Sequence, residues 1–138
     1  MPAKDAFHQA VRHALEKDGW TITHDPFLLR YELGNLYIDL GAEKILAAEQ
    51  NGQKIAVEVK SFVQNSAISE FYNALGQFIS YRILLKEQYP EHVLYLAVPV
   101  DTYTSFFATQ LAQSIISSQQ LKLIVYKPQQ EVIERWLN

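Results

Sequence analysis

Apolar positions in the first part of the chain recur at helical spacing and then give way to short alternating runs. Phe7, Val11, Ala14 and Leu15 fall on one face and predict an amphipathic helix over residues 4–18, with Gly19 placed to end it. Trp20, Thr21, Ile22 and Thr23 are strand formers, and Asp25-Pro26 marks a turn after them. Residues 28–33 read as a further strand closed by Gly34-Asn35, and residues 37–50 as one or two strands with Gly41 at a bulge or bend. Asn51-Gly52 is the strongest hairpin signal in the chain, so the segment before it and the strand over residues 54–61 are expected to be antiparallel neighbours.

The period then changes. Phe71, Leu75, Phe78, Ile79 and Ile83 stripe a long helix over residues 66–88, capped by Ser66 or Ser69, with Pro90 just past its end. Residues 92–100 are almost continuously apolar, as suits a central strand buried on both faces. Asp101 or Thr102 is placed to cap a helix reaching about Ser117, and residues 121–126 form another apolar strand. After a turn at residues 127–130, residues 131–137 form either an edge strand or a terminal helix. This order predicts a single α/β domain over residues 1–138, a sandwich with a central mixed β-sheet flanked by helices.

Composition narrows the function classes. With 138 residues there is room for one core, and 49% hydrophobic against 20% charged residues indicates an ordered globular chain. Cysteine is absent, which removes disulfides, zinc ribbons and thiol catalysis together. The first residues lack the apolar run of a signal peptide, and no stretch approaches a membrane span, so a cytoplasmic location and no membrane contact are expected. The net charge of −3 counts against a protein that coats nucleic acid, but not against a nuclease whose acidic site is neutralised by metal.

The candidate chemistry centres on Glu58-Val59-Lys60 at the end of an apolar strand, with Asp39 interrupting the preceding apolar segment. Strand alternation puts Glu58 and Lys60 on one face and Val57 and Val59 on the other. Two carboxylates and a lysine are the minimum kit for metal-assisted phosphodiester cleavage. Mg2+ or Mn2+ would be held by Asp39, Glu58 and the carbonyl of Val59, while Lys60 would orient the attacking water or neutralise developing charge. Exposed sheet faces also carry Glu and Lys two apart, and a cross-strand Asp–Lys pair stabilises a sheet. The joint pattern favours a site, because Asp39 breaks an apolar segment and Asn51-Gly52 brings its strand beside that of Glu58.

Asp39 followed by Glu58-x-Lys60, after an initial helix, resembles the PD-(D/E)XK nuclease superfamily, whose members include restriction endonucleases and junction resolvases. The resemblance implies a restriction-endonuclease-like three-layer sandwich. Gln77 and Tyr81, four apart on the following helix, resemble the Gln-x-x-x-Tyr motif of its RecB-like branch, where these residues flank the active site. Ile38 stands where the superfamily has a proline.

Residues 18–26, 37–44 and 55–62 are similar to the XisH family, the cyanobacterial fdxN element excision controlling factors. That resemblance covers nearly the whole chain. It implies a role in excising a DNA element during heterocyst differentiation, with an XisI-like partner protein and a separate site-specific recombinase. The chain is not expected to be that recombinase, since Arg12, Arg30, Arg82 and Arg135 are scattered over unrelated elements. Two functions stay open. One is a metal-dependent DNA endonuclease; the other is a non-catalytic module of the same fold that binds a partner or the recombinase complex. A homodimer is the expected oligomer. Of the remaining polar residues, His8 and His13 are expected to be solvated and Glu43 to be a sheet-face charge.

Overall fold

The structure, a computed structural model, describes residues 3–30, 45–63 and 66–138. The chain opens with helix α1 (Ala3–Lys17), which ends where Gly19 takes a φ of 93°. Strands β1 (Thr21–His24), β2 (Ile45–Gln50) and β3 (Gln53–Val59) follow. Helix α2 (Ala67–Gln88) connects β3 to β4 (His92–Pro99). Helix α3 (Val100–Thr104), a 3-10 turn (Phe106–Ala108) and helix α4 (Gln110–Gln119) lead to β5 (Leu123–Lys127) and β6 (Val132–Leu137).

The six strands form one mixed sheet whose spatial order follows the chain, β1 through β6. The β3–β4 and β4–β5 pairs are parallel, and the other three are antiparallel. The hairpin turns at Asn51-Gly52, with φ of 52° and 81°, the positive values a two-residue type I′ turn demands. It sets the register Glu49↔Lys54 through Ile45↔Glu58.

Each face of the sheet has its own core. On one face Val11 and Leu15 of α1 pack with Leu46, Val57, Val59 and Tyr126. On the other, Phe71, Ala74, Phe78, Tyr81 and Leu85 of α2 pack with Ile45, Ala56, Leu96 and Val98, joined by Phe107 and Ala112. Helix, sheet and helices thus make the α/β sandwich the hydrophobic pattern predicts. Ser66 is the cap of α2: its hydroxyl accepts from Ser69 N–H at 3.3 Å. The chain end forms the edge strand β6 rather than a helix.

Two expectations need correction. The single helix expected after Asp101 is broken into α3, the 3-10 turn and α4. Thr104 and Ser105 bond back to the carbonyls of Val100 and Asp101, which competes with helix propagation, and Thr109 caps α4 afresh. The break sinks Phe107 into the core at 0% exposure. Of the strand expected over residues 28–33, residues 28 and 29 carry none and Arg30 is a single β-bridge residue. The Arg30 N–H and carbonyl are also bonded by the Gln88 side chain at 2.8 and 2.7 Å. Residues 31–33, Asp39, Gly41 and Glu43 lie outside the described residues. Among the described residues no helix is long and apolar enough to cross a membrane.

Candidate functional site

Glu58 sits on the α2 face of β3, opposite Ile45 on one side and Leu96 on the other. Leu123 continues that row beyond Leu96. A carboxylate in an aliphatic row would be expensive to bury alone. Glu58 is nevertheless 0% exposed, and Lys60 only 8%. The Lys60 ammonium lies 3.6 Å from Glu58 Oε2 and donates a hydrogen bond to Gln77 Oε1 on α2. The pair is therefore not a solvated sheet-face pair. Val57 and Val59 point into the opposite core, as strand alternation requires.

The strand end that carries Lys60 is held from three directions. Its N–H donates to Ala97 O at 3.0 Å, extending the parallel ladder one step past Val59. Its carbonyl accepts from the Tyr126 hydroxyl at 2.9 Å, in a buried bond between the two strands' ends. Two residues on, Phe62 adopts a φ of 55°, uncommon for a bulky side chain, and its ring meets Phe107 edge-on at 5.5 Å. Core packing thus fixes a sharp exit from β3 directly after the lysine.

The structure brings three of the expected residues, Glu58, Lys60 and Gln77, into one chain of contacts. Tyr81 lies one turn beyond Gln77 on α2, 4% exposed in the core with Phe78 and Leu85. Val59 ends β3, and β2 as described begins opposite Glu58. Asp39 lies outside the described residues. Magnesium-type ions take carboxylate and carbonyl oxygens, so the Glu58 carboxylate and Val59 carbonyl are suitable donors. Among the described residues no group of three or more His, Cys, Asp or Glu gathers to hold a metal.

Tyr126 was not distinguishable in the sequence from ordinary core, since it ends an apolar strand. Of the histidines on α1, His13 is exposed as expected, whereas His8 is mostly buried. His8 Nε2 lies 2.7 Å from Asp25 Oδ1 while Arg12 reaches Oδ2 at 2.8 Å, tying α1 to the turn after β1. His13 meets Glu131 at 2.9 Å. His92 starts β4 opposite Lys54, its ring tilted against Phe27 and edge-on to Tyr89, and burial lowers its pKa from the ordinary value. A cleft of about 800 Å³ lined by Arg82, Lys86, His92 and Lys122 includes none of Glu58, Lys60 or Gln77.

The XisH family model, described as XisH protein, matches residues 1–134. A crystal structure of an XisH family protein from Nostoc punctiforme PCC 73102 superposes with a TM-score of 0.89 at 51% identity, covering 97% of this chain and 100% of that one. That of an fdxN element excision controlling factor protein from Anabaena variabilis gives the same TM-score and identity, covering 97% of this chain and 99% of that one. No curated protein matches significantly. With a family match over almost its full length and two crystal structures at half identity, the chain belongs to the XisH family.

Proposed function

We propose that the chain controls excision of a DNA element, the role named for its Anabaena variabilis relative, and does so as a metal-dependent endonuclease of the PD-(D/E)XK kind. The observation that carries this reading is the enclosed Glu58 beside Lys60, with Gln77 bonded to the lysine. A domain needing only stability gains little from a buried ion pair, because desolvation offsets the attraction.

In this reading Asp39, Glu58 and the Val59 carbonyl hold Mg2+ or Mn2+, which when bound acidifies water and polarises the scissile phosphate. Glu58 fixes the position of the Lys60 ammonium. Gln77 accepts a hydrogen bond from one ammonium N–H and leaves the others to face the attacking water or the phosphate oxygens. Tyr126 fixes the backbone from which that side chain projects. Tyr81 shapes the wall of the pocket behind Gln77. DNA is the substrate, an XisI-like protein the partner, and the recombinase an indirect one.

The test is cleavage of single-stranded, duplex and branched DNA by the purified protein in Mg2+ or Mn2+. Cutting abolished by Lys60→Ala supports the reading; cutting that survives the substitution contradicts it. A second reading, a non-catalytic module that binds a partner or the recombinase complex, is favoured by the net charge of −3. It predicts no cutting of any substrate, with or without the XisI-like protein.

A further inference from the structure

Helix α2 carries two apolar stripes where a surface helix ordinarily has one. The first, Phe71, Ala74, Phe78, Tyr81 and Leu85, is buried against the sheet. The second runs through Ile68, Tyr72, Leu75, Ile79 and Ile83. Its ends stand out in solvent, with Ile68 41%, Tyr72 52% and Ile83 55% exposed, while Ile79 is half-buried and Leu75 is half-buried with one side packed on the core of its own chain.

Gly76 lies in the middle of this second stripe. Glycine inside a helix costs about 1 kcal/mol relative to alanine. A Cβ at Gly76 would meet no neighbour within 4 Å, so no close approach within the chain calls for glycine there. The stripe is also symmetric about the midpoint between Leu75 and Gly76. Reversing the helix places Ile68 on Ile83, Tyr72 on Ile79 and Leu75 on Gly76. A face that maps onto itself under reversal is what a two-fold contact requires, because the same patch must serve both sides.

We propose that this face is a two-fold interface between two copies of the chain, α2 lying antiparallel on α2. At the axis, Leu75 of each copy enters the space above Gly76 of the other. Further out, Tyr72 meets Ile79 and Ile68 meets Ile83 of the second copy. The missing Cβ of Gly76 is the hole for the leucine and lets the helices approach closely. From Ile68 to Ile83 the stripe is about 24 Å long. A contact confined to one helix stripe of that length is a small interface, so the dimer is reversible rather than obligate. The interface is argued without reference to the Glu58 site and stands or falls apart from it.

The experiment is sedimentation equilibrium of the full chain across the micromolar range. The wild type is expected to show a monomer–dimer equilibrium. Tyr72→Lys with Ile83→Lys, and separately Gly76→Leu, should be monomeric while keeping the wild-type circular dichroism, with a melting temperature near the wild type for the first and at or above it for Gly76→Leu. Because the chain has no cysteine, Tyr72→Cys with Ile79→Cys offers a second readout. These positions lie about 10 Å apart along one helix, too far for a disulfide within it, so oxidation should join two copies. A chain that is monomeric throughout, a dimer that survives Tyr72→Lys with Ile83→Lys, or failure of the cysteine variant to cross-link would overturn the proposal.

Discussion

The ammonium of Lys60 lies 3.6 Å from the carboxylate of Glu58, and the two differ in access: Glu58 is 0% exposed and Lys60 8%. The two charges are therefore not equivalent partners. Removing the lysine takes the ion-pair cation away from a carboxylate enclosed in an aliphatic row. Removing the carboxylate leaves a lysine near the surface that still bonds Gln77.

This asymmetry sets the first prediction. Lys60→Met should lower stability by about 3 kcal/mol, the usual cost of removing one partner of a buried ion pair. Glu58→Gln keeps the shape and removes the charge, so it should change stability by less than about 1 kcal/mol or stabilise slightly. Urea denaturation of both variants and of the double variant checks this. The double variant should be more stable than Lys60→Met alone; a loss above about 3 kcal/mol in Glu58→Gln would instead mark Glu58 as part of a structural network.

Tyr126 is predicted to act as a positioning residue. Tyr126→Phe keeps the ring, which is fully buried, and deletes the hydroxyl that bonds the Lys60 carbonyl at 2.9 Å. The expected loss of stability is about 1 kcal/mol. If the chain cuts DNA, kcat should fall more than KM rises. An unchanged kcat would show that the Lys60 backbone does not need this tether.

The hairpin between β2 and β3 sets the register that places Glu58 opposite Ile45. Gly52 holds a φ of 81° there, with open space around it, so the strain of a side chain is purely conformational. Gly52→Val should cost about 1–2 kcal/mol. Thermal melting measures it, and a neutral outcome would mean that the turn relaxes to another type.

His92 gives a pH dependence with a defined sign. Burial lowers its pKa below 6.5 in the folded protein, so between the folded value and 6.5 the unfolded chain binds more protons. Its contribution to stability is complete above about 6.5 and is lost as pH falls through the folded value. Melting temperatures from neutral to mildly acidic pH should fall more steeply for the wild type than for His92→Gln. Parallel slopes would contradict the assignment.

Much of this was readable from local signals. Asn51-Gly52 announced the hairpin, Ser66 the start of α2, and the alternation around Glu58 the face it occupies. Signals of this kind live in a few adjacent residues, and the chain obeys them. What escaped depends on distant contacts. The helix expected after Asp101 breaks because Phe107 finds its place against Phe62 and Phe71, and Arg30 is held by Gln88 from the far end of α2. A place for Gln77 beside the site was expected only through family resemblance, and its bond to Lys60 was not, because helical spacing does not say which strand residue a glutamine meets. Tyr126 carried no mark, because a buried tyrosine reads as core until its hydroxyl has a partner.

Metal binding tests the central claim most directly, since it needs neither the right DNA nor a partner protein. Isothermal titration of the purified chain with Mn2+ should show one saturable site per chain that is lost in Glu58→Gln and in Asp39→Asn, with folding retained in both. Absence of binding in the wild type, or binding that both substitutions leave unchanged, would contradict the claim and leave the Glu58–Lys60 pair as a structural feature of a binding module.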